Sequence, residues 1–121
     1  MESMNTAGQS EALFIVKAFE KGWEIAQPFH HAQPYDFIIR KDSKWQTVQV
    51  KTAYFDQKKH KLEVRLQRNN GSYQAGDFDL LAIIYKERMW LIDWESIKHI
   101  GSKIMIGGSG LRGYKYDKFI I

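Results

Sequence analysis

Cysteine is absent from the 121 residues. Its absence excludes a disulfide framework and thiolate zinc sites, and suits a reducing cytoplasm. The N-terminus has no basic segment leading into an apolar one, so no secretory leader is expected. Long hydrophobic runs are missing too. The longest, such as Leu80 to Tyr85, fall far short of the roughly 20 residues that span a bilayer, so no membrane partner is expected. There is no internal repeat and no low-complexity stretch. His30 and His31 stand together, but with no cysteine and no helical HxxxH spacing they do not make a zinc site. The glycines at 107, 108, 110 and 113 do not form GxxxxGK[ST], so nothing supports a nucleotide-binding P-loop.

What is present suits a folded chain. Hydrophobic residues make up 44% and aromatics 14%, enough for a core and too much for a disordered segment. The length suggests one domain, residues 1–121. Eighteen lysines and arginines face 14 acids, a net charge of +4. A polyanion partner fits that excess, because basic groups on phosphates release counterions. A soluble domain that is merely basic fits it equally well.

Periodicity gives the elements. Gln9 to Lys21 reads as a helix, with Ala12, Ile15, Val16 and Phe19 on one stripe and Ser10, Lys17 and Lys21 opposite. Gly22 is a natural stop. Trp23 to Gln27 reads as a short strand. Tyr35 to Lys41 and Trp45 to Tyr54 read as strands joined by a tight turn at Asp42 and Ser43. Phe55 to Lys61 reads as a charged loop. Leu62, Val64 and Leu66 alternate with Glu63, Arg65 and Gln67, which predicts a half-exposed strand. Arg68 to Gly76 is a long polar loop. Phe78 to Tyr85 is almost entirely apolar, as in a strand covered on both faces. Met89 to Asp93 reads as a strand and Glu95 to Ile100 as a short helix. Tyr114, Tyr116, Phe119 and Ile120 are expected to pack at the end of the chain. The order predicts an α+β (or α/β) fold, a central mixed β-sheet flanked by helices.

One strand carries more than packing. Gln49 and Lys51 share a face of the strand Trp45 to Ala53, with Val48 and Val50 on the other. If Asp42 and Ser43 form a two-residue loop, Lys41 lies opposite Lys44 and Asp36 opposite Gln49, with Lys51 diagonal to it. A three-residue loop would instead put Asp36 among the valines. An aspartate, an amide oxygen and a lysine gathered on one patch suit Mg²⁺, which takes hard oxygen ligands and keeps several waters. Asp36, the Gln49 side-chain oxygen and the Val50 backbone carbonyl are the candidate ligands. Lys51 is placed to orient a water or to stabilise charge on phosphate. Glu11 shares its helix stripe with Phe14, Ile15 and Ala18, so it leans toward the covered side and needs a partner there. The bland alternative is a cross-strand ion pair between Asp36 and Lys51 beside a solvated Gln49.

Pro34, Tyr35 and Asp36 followed by Gln49, Val50 and Lys51 resemble the PD-(D/E)XK nuclease signature, and GQSEA with Glu11 is similar to the helical glutamate of many of these enzymes. The likeness runs over roughly residues 8 to 95. It is nearest to the small bacterial endonucleases that include group I intron homing endonucleases, where QVKT replaces the usual E-x-K. The resemblance implies a central mixed sheet with flanking helices and hydrolysis of double-stranded DNA with Mg²⁺, Mn²⁺ substituting. It also implies cutting by a homodimer or homotetramer. Asp36 would be the metal-binding acid, Gln49 would stand at the second acid position, Lys51 would be the catalytic lysine, and Glu11 would assist at the metal. Gln49 departs from the wider pattern, since an amide binds a cation less strongly than a carboxylate. Hence the alternatives of an inactive DNA-binding module on the same fold and of a Holliday junction resolvase.

Other polar residues have two readings. Arg65, Arg68, Asn69, Asn70, Ser72 and Gln74 suit a DNA-contacting hairpin or an ordinary solvated loop. Lys58, Lys59, His60 and Lys61 suit phosphate contacts or a solvated turn. Asp77 and Asp79 read as a strand-start cap and turn rather than as further ligands.

Overall fold

In the computed structural model, which describes residues 6–30, 32–68, 71–108 and 112–121, helix α1 (Ala7–Lys21) leads into strands β1 (Glu24–Ala26), β2 (Phe37–Lys41) and β3 (Lys44–Thr52). Then come β4 (Tyr54–Asp56), β5 (Lys61–Arg65), a short hairpin of β6 (Gln67–Arg68) and β7 (Gly71–Ser72), β8 (Leu80–Tyr85) and β9 (Arg88–Asp93). A one-turn helix α2 (Trp94–Ile97), strand β10 (Lys103–Gly108) and a 3₁₀ segment (Arg112–Phe119) complete the order.

Five strands form a mixed sheet in the order β1-β2-β3-β8-β9. Only the β3–β8 pairing is parallel. The expected hairpin forms: Lys41 pairs with Lys44, and Asp42 and Ser43 take φ of 53° and 63°. Two positive-φ residues make a type I′ turn, whose twist matches that of the flanking strands. β8 sits inside the sheet with both faces covered, hence its unbroken apolar run.

Alternation along β8 splits the core in two. Leu80, Ala82 and Ile84 join Phe37, Ile39, Val48, Val50 and Phe14 under α1. Leu81 and Ile83 face the other way, with Leu62, Val64, Ile104 and Ile106 of a second, three-stranded sheet ordered β10-β5-β4. The fold class is therefore as expected, but helical cover is confined largely to α1, and a small sheet takes the opposite face.

Three local expectations change. α1 starts earlier, at a capping box in which Thr6 and Gln9 bond each other's backbone N–H. Its covered stripe is Ser10, Phe14 and Ala18, while Val16 and Phe19 are 49% and 69% exposed. A serine tolerates the core because its hydroxyl lies 2.7 Å from the Thr52 hydroxyl on β3. Phe14 stacks on Phe37 at 5.1 Å. Second, the loop expected from Phe55 begins instead with strand β4, and Glu63 is 1% exposed rather than outward. Glu63 accepts from the Tyr54 hydroxyl at 2.7 Å and from Lys59 Nζ at 3.4 Å. The Tyr54 bond above all, then Lys103 and Lys59, hold its carboxyl below the ordinary range against the cost of burial. Third, the glycine-bearing stretch forms β10, with a register shift between Met105 and Gly107. At the chain end Tyr116 is buried and Phe119 packs on the core, while Ile120 bridges Trp90 with its side chain 41% exposed.

The stripe assignment is testable by urea denaturation. Phe14→Ala should cost about 3–5 kcal/mol, as for a buried phenylalanine, and Phe19→Ala less than about 0.5 kcal/mol. Equal losses would show that the outer stripe is covered as well.

Candidate active site

The site grows from a mismatch in strand length. β3 runs on to Thr52, whereas β2 begins only at Phe37, opposite Val48. Beyond Val48, β3 therefore has β8 on one edge and no strand on the other. The Val50 N–H and C=O both point to that vacant edge, since a strand residue directs its two backbone groups the same way. Unpaired groups there would be costly. Asp36 fills the place. Its N–H donates to the Val48 carbonyl at 2.8 Å, and its Oδ2 accepts the Val50 N–H at 2.8 Å. One step past the Phe37–Val48 pair, Asp36 falls opposite Gln49, the register expected from a two-residue loop. Pro34, which has no N–H to offer a ladder, sits where the chain leaves the sheet.

Lys51 shares the Gln49 face, opposite Ile83 of β8. Its ammonium is close enough to Asp36 to favour the ionised carboxylate, and it lies 5.3 Å from the centre of the Tyr73 ring. The Gln49 amide donates to the Val50 carbonyl at 3.4 Å. Glu11 approaches from α1, half-buried, and the charge of Asp36 reaches it. The Ser10–Thr52 hydrogen bond joins the residue before Glu11 to the residue after Lys51, which fixes helix against strand at this point. The structure thus brings Glu11, Asp36, Gln49, the Val50 carbonyl and Lys51 together.

The electrostatics are those of a crowded anionic site. Burial pushes the Asp36 carboxyl above its ordinary value, while the Val50 N–H and then Lys51 pull the other way. Burial also raises Glu11, and the Asp36 charge raises it further. Two carboxylates face one lysine, and every other donor is a neutral oxygen. That set suits a hard divalent ion. It is sparse in acids: among the described residues no cluster of three or more His, Asp or Glu forms.

The remaining candidates lie elsewhere. Arg65 is exposed on β5, 6.0 Å from the Tyr54 ring. Arg68 pairs through its backbone with Gly71 in the β6–β7 hairpin. Asn69, Asn70 and His31 lie outside the described residues. The Gln74 N–H donates to Asp77 Oδ2 at 2.8 Å, and Asp79 Oδ2 accepts the Thr47 N–H at 2.9 Å, so both aspartates act as turn and strand caps. The Lys58 and Lys59 N–H groups both bond Asp56 Oδ1. His30 is exposed in a bend. Sequence reasoning missed Tyr73 and Ser10. Ser10 was traceable, at i−4 and i−8 from Phe14 and Ala18; nothing in the sequence marks Tyr73.

The model of the PD-(D/E)XK endonuclease family matches residues 1–104. This chain belongs to that family. Its members are nucleases that act on DNA and generally use divalent metal ions. The chain is 32% identical over 113 residues to protein 5.3 of Escherichia phage T7, covering 91% of this chain and 94% of the relative. Its fold matches that of a bacterial homing endonuclease, I-Ssp6803I, with a TM-score of 0.78 over 88% of this chain and 82% of the other, at 20% identity. No helix among the described residues is long and apolar enough to cross a membrane.

The charge crowding has a measurable consequence. Glu11 titrates above its ordinary 4.5 in the folded chain, so its ionised form carries a penalty at neutral pH that fades as pH falls through the raised value. Glu11→Gln should therefore stabilise the fold at pH 7 by less than about 1 kcal/mol, given its partial exposure. The gain should vanish as pH drops to about 4.5. Urea midpoints across that range check it, and a pH-independent effect would point to packing instead.

Proposed function

We propose that this chain is a Mg²⁺-dependent endonuclease, with Mn²⁺ substituting, that hydrolyses phosphodiester bonds of double-stranded DNA. The observation that carries the reading is the vacant edge of β3. There Asp36 holds the Val50 N–H while Gln49 and Lys51 stand beside it and Glu11 closes in from α1. The oxygens of Asp36, Glu11, Gln49 and the Val50 carbonyl would hold the ion. A bound divalent ion supplies Lewis-acid polarisation of the phosphate and a more acidic attacking water. To hold the ion together with the Val50 carbonyl, the Gln49 amide would have to turn over and present Oε1 where Nε2 now donates. Lys51 places its ammonium against the charge that grows on the pentacovalent phosphate. Asp36 also keeps Val50 in register, so the carbonyl stays aimed at the same edge.

The chain acts in this reading as one domain. Recognition of a long duplex site by so small a unit calls for a homodimer or homotetramer with matching symmetry. The homing role is the reading that the QVKT motif and the fold shared with the bacterial enzyme support, and the absence of cysteine suits the cytoplasm. Arg65, Arg68 and Gln74, on and around the β6–β7 hairpin, are the proposed base and backbone contacts, together with Asn69 and Asn70, which lie outside the described residues, with Lys58 and Lys59 on phosphates. Gln49 and the two-carboxylate site favour one second reading, an inactive DNA-binding module on the same fold.

Nicking of supercoiled plasmid with Mg²⁺ against EDTA separates the two. Asp36→Asn keeps an acceptor for the Val50 N–H, so it should fold normally. It should lose cleavage by at least about a hundredfold, as should Lys51→Ala, while both retain DNA binding. Full cleavage by either variant overturns the assignment of these residues. Binding without metal-dependent cutting by the unaltered chain selects the second reading.

A further inference from the structure

We propose that Tyr73 is a positioning residue for Lys51, an inference that rests on the nuclease reading above. A lysine ammonium ends a stem of four rotatable bonds and does not hold one position unaided. Among the described residues, this one is held by the negative charge of Asp36 and by the face of the Tyr73 ring, 5.3 Å from Nζ. They differ in what they leave free. A carboxylate takes up N–H donors in directed hydrogen bonds, whereas a ring attracts the cation as a whole through its quadrupole. A lysine drawn toward the ring keeps donors for phosphate oxygens and for water. A lysine drawn wholly to Asp36 becomes a structural ion pair and competes with any cation for that carboxylate. Tyr73 therefore sets the balance between the bland and the catalytic arrangement of the same two charges.

The ring is itself braced. Phe78 meets it edge-on at 5.1 Å and meets Trp94 edge-on at 5.4 Å, and Phe78 is 2% exposed. Such edge-to-face pairs fix ring planes as well as separations. Tyr73 also follows directly on Ser72, the last residue of the β6–β7 hairpin. The brace thus runs from the core, through the ring, to the lysine, beside the hairpin proposed to meet DNA.

The test compares Tyr73→Leu, which loses the ring, with Tyr73→Phe, which keeps it, in single-turnover cleavage of supercoiled plasmid with Mg²⁺. Loss of the ring should lower the rate at saturating protein about three- to thirtyfold, the range of a cation–π contact, with the half-saturating concentration changed less than about twofold. Tyr73→Phe should restore the rate to within about twofold of the unaltered chain. A wild-type rate for Tyr73→Leu, or equal losses for Leu and Phe, would overturn the proposal. A readout independent of cleavage is NMR of the reductively ¹³C-methylated full chain. One dimethyl-lysine resonance, assigned by its loss in Lys51→Arg, should be shifted by the ring current in the unaltered chain and in Tyr73→Phe. Its appearance at the position of the exposed lysines would refute the contact even if Tyr73→Leu failed to fold. A chain that cuts no DNA at all but shows the shifted resonance would refute the nuclease reading and leave the placement of Lys51 standing.

Discussion

The hydrogen bond from the Val50 N–H to the Asp36 carboxylate is the interaction on which the site depends. A sheet whose neighbouring strands end together has no use for it, because the ladder would satisfy Val50 by itself. Here β2 begins only at Phe37, opposite Val48, and a side chain stands in for a missing backbone carbonyl at Val50. The substitution has two effects. It satisfies a half-buried donor, which any acceptor would do. It also draws a carboxylate into the plane of the sheet, next to the carbonyl of the same residue, where an acid has no reason to be for packing alone. Fold and proposed chemistry meet in a single side chain: an amide there would still accept the Val50 N–H, and in the proposed reading it would serve poorly as a cation ligand.

Around that bond the charges are arranged against their own comfort. Asp36 and Glu11 both sit where burial disfavours ionisation, and they repel each other. Glu63, the other buried acid, shows what the protein does when it merely stores a carboxylate. Tyr54 and Lys59 take up its two oxygens, and its pKa falls. The contrast is informative because the two acids share one small domain. Pairing was available in this fold, and the Asp36 cluster is left short of positive charge. Carboxylates with perturbed pKa values left short of counter-charge in this way are characteristic of functional sites.

The cluster was legible in the sequence because a β-strand has an exact period of two. Asp42 and Ser43 announced a two-residue loop, and parity then carried Asp36 to Gln49 with no further assumption. The helix was less legible. Ala12, Val16 and Phe19 are as apolar as Phe14 and Ala18, so hydrophobicity could not say which stripe faced the sheet; the Ser10–Thr52 bond, a long-range contact, decided it. Glu63 alternated with leucine and valine as an exposed residue does, and its burial is explained by partners from elsewhere, above all the tyrosine brought over by β4. β10 was hidden because its glycines have low strand propensity and its pairing with β5 spans about forty residues of chain, a contact no local pattern encodes. Local periodicity revealed the strand that carries the candidate site, and distant pairing hid the second sheet.

Gln49 is where these lines meet. At the second acid position a glutamate would place a third negative charge beside Asp36 and Glu11, with Lys51 alone to offset it. The amide lowers that repulsion and finds an immediate partner in the Val50 carbonyl. It therefore makes the metal-free site easier to fold. The same bond engages one of the carbonyl's two lone pairs, so in the proposed reading a cation would meet an internal hydrogen bond at that oxygen. A net hydrogen bond of this kind is worth about 1 kcal/mol, small against the attraction of two carboxylates for a divalent ion. In the proposed reading Gln49 would thus exchange some affinity for a site that is stable without metal, and more of the work of holding the ion would fall on Glu11 than in an E-x-K site.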